Sequence, residues 1–228
     1  MNARQLPPDP APGSHQYFVL LYTPASRRRE LSTLLALADE IAAEPLVGAD
    51  HGVAHTRLAW WRHEAERLRR GAPEHPWLRA LLQEAAPVKF DLVPLVDGAD
   101  VDLATRTLSK QPSAMLFRAL FAAAAELLLA DDPAGGAEPA QRAAVEELGA
   151  IVRGLERDPR DNAALAGVDP SLHAIGTQRQ PRLAPLLVWL ALAASAPRTS
   201  GRLRNTLFTN FAAWSAARRA ARGRFHLS

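Results

Sequence analysis

The chain has 228 residues, 48% of them hydrophobic and 22% charged, with a formal net charge of +3. That length carries one sizeable core, and the absence of cysteine excludes disulfides, thiolate metal sites, iron–sulfur clusters and a cysteine nucleophile. So small a positive balance gives no ground for nucleic-acid binding. Abundant alanine, leucine and arginine, with few β-branched or aromatic residues, favour helix over strand.

Residues 1–14, rich in proline and lacking an apolar run, read as a disordered lead-in rather than a signal peptide. Residues 15–228 read as one helical domain. A first short helix is expected over Tyr17–Tyr22, ending before Pro24. The next, Ser26–Ala43, places Leu31, Leu34, Leu35 and Ala38 on one face, and Pro45 closes it. After a glycine-containing link, Val53–Arg70 puts Leu58, Trp61, Ala65 and Leu68 on one stripe, with Gly71 and Pro73 as the stop. A helix from His75 or Pro76 turns Trp77, Leu78, Leu81 and Leu82 inward and ends before Pro87.

Leu92, Leu95, Val96 and Leu103 fit a helix broken at Gly98. Ser113–Ala130 is apolar nearly all round and is expected to be the central buried helix. Asp131–Pro139 reads as a loop and Gln141–Arg157 as an amphipathic helix. Asp158–Gln180 has little pattern. Leu183–Ala196 is the longest apolar stretch, shorter than the ~20 residues a membrane span needs, so it reads as a core helix. Leu203–Arg222 is the last helix. No internal repeat, alternating strand or interdomain linker is visible.

Charge is unevenly placed. Lys89 and Lys110 are the only lysines, and Arg198–Arg224 holds seven arginines and no acid. Such an end suits an anionic membrane surface, a diphosphate or an acidic partner, or simply a solvated helix face. His51 and His55 have the four-residue spacing of zinc ligands on a helix, but Gly52 lies between them and no glutamate follows His51, so the pair carries little weight. Phosphate loops and nucleophile elbows are absent.

Three stretches carry a family resemblance. The first is Tyr22–Ile41, with Pro24, Arg27, Arg28 and Leu35. The second is Thr56–Gly71, with Trp60, Trp61 and Arg62 followed by His75-Pro76. The third is Leu95–Leu103, with Asp97, Gly98, Asp102 and Leu103. In order and spacing these resemble the squalene/phytoene synthases. The resemblance implies an all-α, single-domain bundle around a central cavity, and an activity that joins two prenyl diphosphates head to head with magnesium.

Adjacent helix positions diverge by ~100°, so Trp60 and Trp61 cannot share a face. One is therefore expected in the core and the other over a neighbouring helix.

In that family, two aspartates four residues apart on each of two facing helices hold the magnesium ions. Here an ungapped match puts Ala42 and Leu46 at the first pair, and a shifted one puts Asp39 and Ala43 there. Glu40 and Glu44 are the nearest replacement, and Asp158 and Asp161 the nearest second pair, with Pro159 between them. This pattern resembles the branch of the family typified by the respiratory complex I assembly factor. It shares Pro24-Ala25, Arg27-Arg28, Glu40-Ile41, Glu44-Pro45, Arg57-Leu58 and Trp60-Trp61-Arg62, with an insertion around Gly48–His55.

That resemblance implies a fold reused for binding a lipid, an isoprenoid diphosphate or a protein partner, without catalysis. It also implies a cytoplasmic protein, peripheral to the inner membrane. Arg27, Arg28, Arg62 and Asp102 are the candidate substrate-binding residues, and Glu40, Glu44, Asp158 and Asp161 the candidate metal ligands. No cofactor is expected unless the chain is an active synthase, which would need Mg2+. In that reading Glu40, Glu44, Asp97, Asp102, Asp158 and Asp161 would stand in as ligands. A third possibility is a plain helical interaction protein with a filled core.

Overall fold

The structure is a computed structural model that describes residues 6–43, 51–84, 88, 90–108, 114–131, 138–158, 160–175, 181–195 and 202–222. The described residues form helices and loops and contain no strand. The chain is all-α, as the composition predicts. In order, the helices are α1 His15–Leu21, α2 Ala25–Ala43, α3 His51–Arg69, α4 Pro76–Glu84, α5 Val93–Leu108, α6 Met115–Leu129, α7 Pro139–Arg157, α8 Asn162–Ala166, α9 Val168–Ile175, α10 Ala184–Ala194 and α11 Arg202–Ala221.

Two helices organise the core. α6 packs against α2, α5 and α7, while α10 packs against α1, α7 and α11. α10 is apolar on all sides, and α6 on all but the face that carries Arg118 and Glu126, as helices surrounded by other helices must largely be. Phe121, Leu127, Val188 and Leu190 are fully buried. The amphipathic helices behave as their spacing predicts: Leu31, Leu34, Leu35 and Ala38 of α2, and Leu58, Trp61, Ala65 and Leu68 of α3, are all buried. No described helix is long and apolar enough to cross a membrane.

Local chemistry sets the helix ends. α1 begins two residues earlier than its apolar pattern suggests, because the Ser14 hydroxyl accepts the Tyr17 N–H, satisfying one of the first-turn donors. α3 ends at Gly71, whose φ of +74° is a left-handed conformation that glycine adopts without steric cost. There the Ala72 N–H reaches the Arg67 carbonyl at 2.9 Å and the Gly71 N–H the Leu68 carbonyl at 3.0 Å. Those two bonds are the paired closure of a Schellman turn. It sends the chain back so that α4 starts against α3.

Three sequence expectations are corrected. Gly98 does not break α5, which runs unbroken through it. The glycine instead lets α6 approach: a Cβ there would lie 2.8 Å from backbone atoms of Met115 and Leu116. The stretch after Asp158 is not patternless but forms α8 and α9. Asp161 accepts from the N–H groups of Ala163 and Ala164 to start α8, and Val168, Leu172 and Ile175 anchor α9 in the core. Finally, α6 starts at Met115, later than expected, because its cap is the distant Asp102 and not a neighbouring residue. Asp102 receives the N–H groups of Met115 at 2.9 Å and Leu116 at 3.3 Å.

Candidate functional site

Among the described residues, the expected ligands and anion binders are each engaged in a structural contact. Glu40 leaves α2 toward the start of α4, where its Oε2 lies 3.3 Å from His75 Nε2. His75 is buried, and its Nδ1 accepts the Trp77 N–H at 3.3 Å. An accepting Nδ1 requires the ring proton on Nε2, the nitrogen that faces Glu40. Beneath this pair, the side chain of Glu64 is completely buried. It accepts the His75 backbone N–H at 2.8 Å and Arg67 Nε at 2.7 Å, so its charge is compensated where water cannot reach it.

Trp60, Trp61 and Trp77 surround the His75 ring at 6.4, 5.3 and 5.0 Å between centroids. Trp61 is in the core and Trp60 is 39% exposed, the division expected from their adjacency. Arg67 stacks over Trp60 at 5.7 Å. The motif that carries the family resemblance is thus the clasp between α3 and α4.

Asp158 accepts the Arg160 N–H at 2.9 Å, a turn contact, and Asp161 caps α8. Glu44 and Pro45 lie outside the described residues. Asp102 caps α6. Arg62 reaches across to α5, 2.7 Å from Asp100 and 3.3 Å from Asp97, and His55 lies 3.5 Å from the same Asp100. Arg28 donates to the carbonyls of Leu20 at 3.0 Å and Thr23 at 3.2 Å, tying the α1–α2 turn. Arg27 is buried between Glu30, at 3.3 Å, and Asp131. All three arginines that were expected to hold an anion, Arg27, Arg28 and Arg62, are engaged by the protein itself.

Among the described residues, no group of three or more histidine, aspartate or glutamate side chains is placed to hold a metal ion. Magnesium wants several carboxylate or phosphate oxygens converging at ~2 Å. The donor set of Glu40, Asp158 and Asp161 does not fit it, because each of these carboxylates is turned to a different partner.

A second polar cluster was not anticipated. Glu156 of α7 is only 18% exposed in its side chain. It takes the Trp189 Nε1–H at 2.8 Å, lies 3.1 Å from His15 Nδ1 and receives Arg153 at 3.4 Å. Asp39 of α2 stands beside it and accepts from Gln16 at 2.7 Å. Burial raises the pKa of Asp39, and the nearby charge of Glu156 adds to that rise, against the Gln16 hydrogen bond and the Arg153 charge. Burial also acts to raise Glu156, but the hydrogen bonds from His15 and Trp189 and the charges of His15 and Arg153 outweigh it, leaving its pKa lowered.

One sequence signal pointed there. Trp189 lies in the most apolar helix of the chain, and a buried indole N–H must find an acceptor. What sequence does not give is that the acceptor sits on α7, 33 residues away.

Among the described residues, cavities flank the bundle, two of which are sizeable. One, of about 580 Å³, lies between α5, α6 and α7, with Ala119, Ala122 and Ala123 among its lining residues and Asp97, Arg118 and Glu146 also around it. The other, of about 590 Å³, lies beside the end of α3 and is lined by Leu68, Leu82, Val88 and Phe90 among others.

Comparison of the chain with family models, with curated proteins and with solved structures returned no match.

Proposed function

We propose that this chain is a squalene/phytoene synthase-like helical scaffold that works by binding rather than by prenyl transfer. Its ligand is an isoprenoid or other lipid, or a protein partner, at a membrane surface. The observation that carries the reading is the engagement of the carboxylates. Glu40 is committed to His75, Asp102 to the start of α6, Asp161 to the start of α8 and Asp158 to the turn between them and α7. Helix caps are worth ~1 kcal/mol each, so freeing these groups for a metal would act against the fold.

The test is direct. Purified protein is incubated with magnesium and farnesyl or geranylgeranyl diphosphate, and released diphosphate is measured. The reading expects no release above the protein-free background. Magnesium-dependent release would overturn it in favour of a divergent synthase. One observation favours that second reading: α2 and α7 do bring two acids, Asp39 and Glu156, into one cluster. In such an enzyme, Asp39→Asn with Glu156→Gln would abolish the release.

A further inference from the structure

α11 has two faces of different chemistry. Ala213, Ala216 and Ala220 are buried, on the helix that packs against α10. Of the described side chains in α11 and the turn that follows it, the exposed ones are Asn210, Trp214, Arg218 and Arg222. They recur every four residues and so form one line along the helix. Trp214 is 47% exposed, and the Arg218 guanidinium stacks 5.1 Å from its ring centroid. Within Arg198–Arg224 there are seven arginines and no carboxylate, in a chain whose net charge is only +3. The rest of the molecule is therefore net acidic, and the positive charge is concentrated at this end of the sequence.

We propose that this line of α11 attaches the protein to an anionic bilayer surface. Arg218 and Arg222 would meet headgroup phosphates, for which the planar guanidinium is a bidentate donor. Trp214 would sit at the headgroup level, where an indole has one apolar and one hydrogen-bonding side to satisfy. Charge complementarity selects this occupant: a leaflet of anionic lipid attracts each exposed arginine by about fivefold in partitioning. The net acidic remainder is repelled from the same surface, which turns the α11 end toward the bilayer. Attachment is peripheral and salt-sensitive, because screening shortens the reach of exposed charges.

The attachment deepens the binding role proposed above and rests on it. The two fail separately, since diphosphate release would overturn the first and leave lipid binding untouched. The test is co-sedimentation of the full chain with vesicles of phosphatidylglycerol and phosphatidylcholine, against phosphatidylcholine alone. The protein is expected to sediment with the anionic vesicles and to be released by high salt. Arg218→Gln with Arg222→Gln should lower partitioning by about 25-fold, from about fivefold for each arginine, with unchanged thermal melting. The tryptophan emission should shift to the blue on binding, and Trp214→Phe should remove that shift.

Equal binding to neutral vesicles would overturn the proposal, as would a double variant that binds like the parent. Failure to bind anionic vesicles, accompanied by salt-sensitive self-association in light scattering, would overturn it too and would assign the face to a second copy of the chain.

Discussion

Asp39 and Glu40 are neighbours on α2 and serve opposite sides of it. Glu40 turns to the α3–α4 clasp, where His75, Trp60, Trp61 and the buried Glu64 form a closed set of donors, acceptors and rings. Asp39 turns to the α1–α7–α10 cluster, where two carboxylates share a partly desolvated region. In the clasp the contacts converge on His75 and the turn between α3 and α4, with Glu40 reaching it from α2. In the cluster the contacts join helices far apart in sequence, and the two acids are pushed in opposite directions. Consecutive helical positions point ~100° apart, so a carboxylate pair at adjacent positions splits between two environments. A pair four residues apart shares one. That angular fact sets Asp39 and Glu40 apart from a pair that shares one helix face.

The largest expected effect is in the clasp. Glu64→Leu leaves the His75 N–H and Arg67 without their buried acceptor and should lower stability by about 3 kcal/mol, the scale of breaking a buried charged pair. Chemical denaturation measures it, and a loss under ~1 kcal/mol would show that the clasp does not depend on its buried charge.

In the cluster, Glu156→Gln should cost about 1.5 kcal/mol at neutral pH, as expected for hydrogen bonds to a charged group. Because the folded-state pKa of Glu156 is lowered, its stabilising contribution is present above the unfolded value of ~4.3. That contribution is lost as pH falls through the folded value. The difference in melting temperature between parent and variant should therefore shrink on acidification.

Asp39 has the opposite sign. Its pKa is raised, so its contribution is most favourable at low pH and is lost as pH rises through the folded value. Asp39→Asn should match the parent in acid and be equal or slightly more stable at neutral pH, within about 0.5 kcal/mol.

The sharpest form of the comparison is a pair of double-mutant cycles. Asp39→Asn with Glu40→Gln should be additive within about 0.5 kcal/mol, because the neighbours share no partner. Glu40→Gln with Glu64→Leu should couple by more than that, because both act on His75.

Much of the fold is legible in the sequence where period alone decides it. The buried stripes of α2 and α3 follow from leucine and alanine spacing, and the end of α3 from Gly71. Sequence misleads where a residue has a tertiary reason for its identity. Gly98 looks like a helix break and is a helix contact, and Gly167 looks like loop punctuation and joins two short helices. The cluster was invisible because its partners are distant, with His15 and Glu156 141 residues apart. The resemblance to a synthase directed attention to Glu40, Asp158 and Asp161. The chain turns each of them to another contact within the protein, and the acids whose charges act on each other are Asp39 and Glu156.

The central claim is that the acids expected to bind magnesium are structural. Its most direct test is magnesium-dependent diphosphate release from farnesyl diphosphate, compared between the parent and an Glu40→Gln/Asp158→Asn/Asp161→Asn variant. The account predicts background release from both, with little change in stability, because asparagine accepts the same helix-start N–H groups as aspartate. Release by the parent that the variant loses while still folded would contradict it.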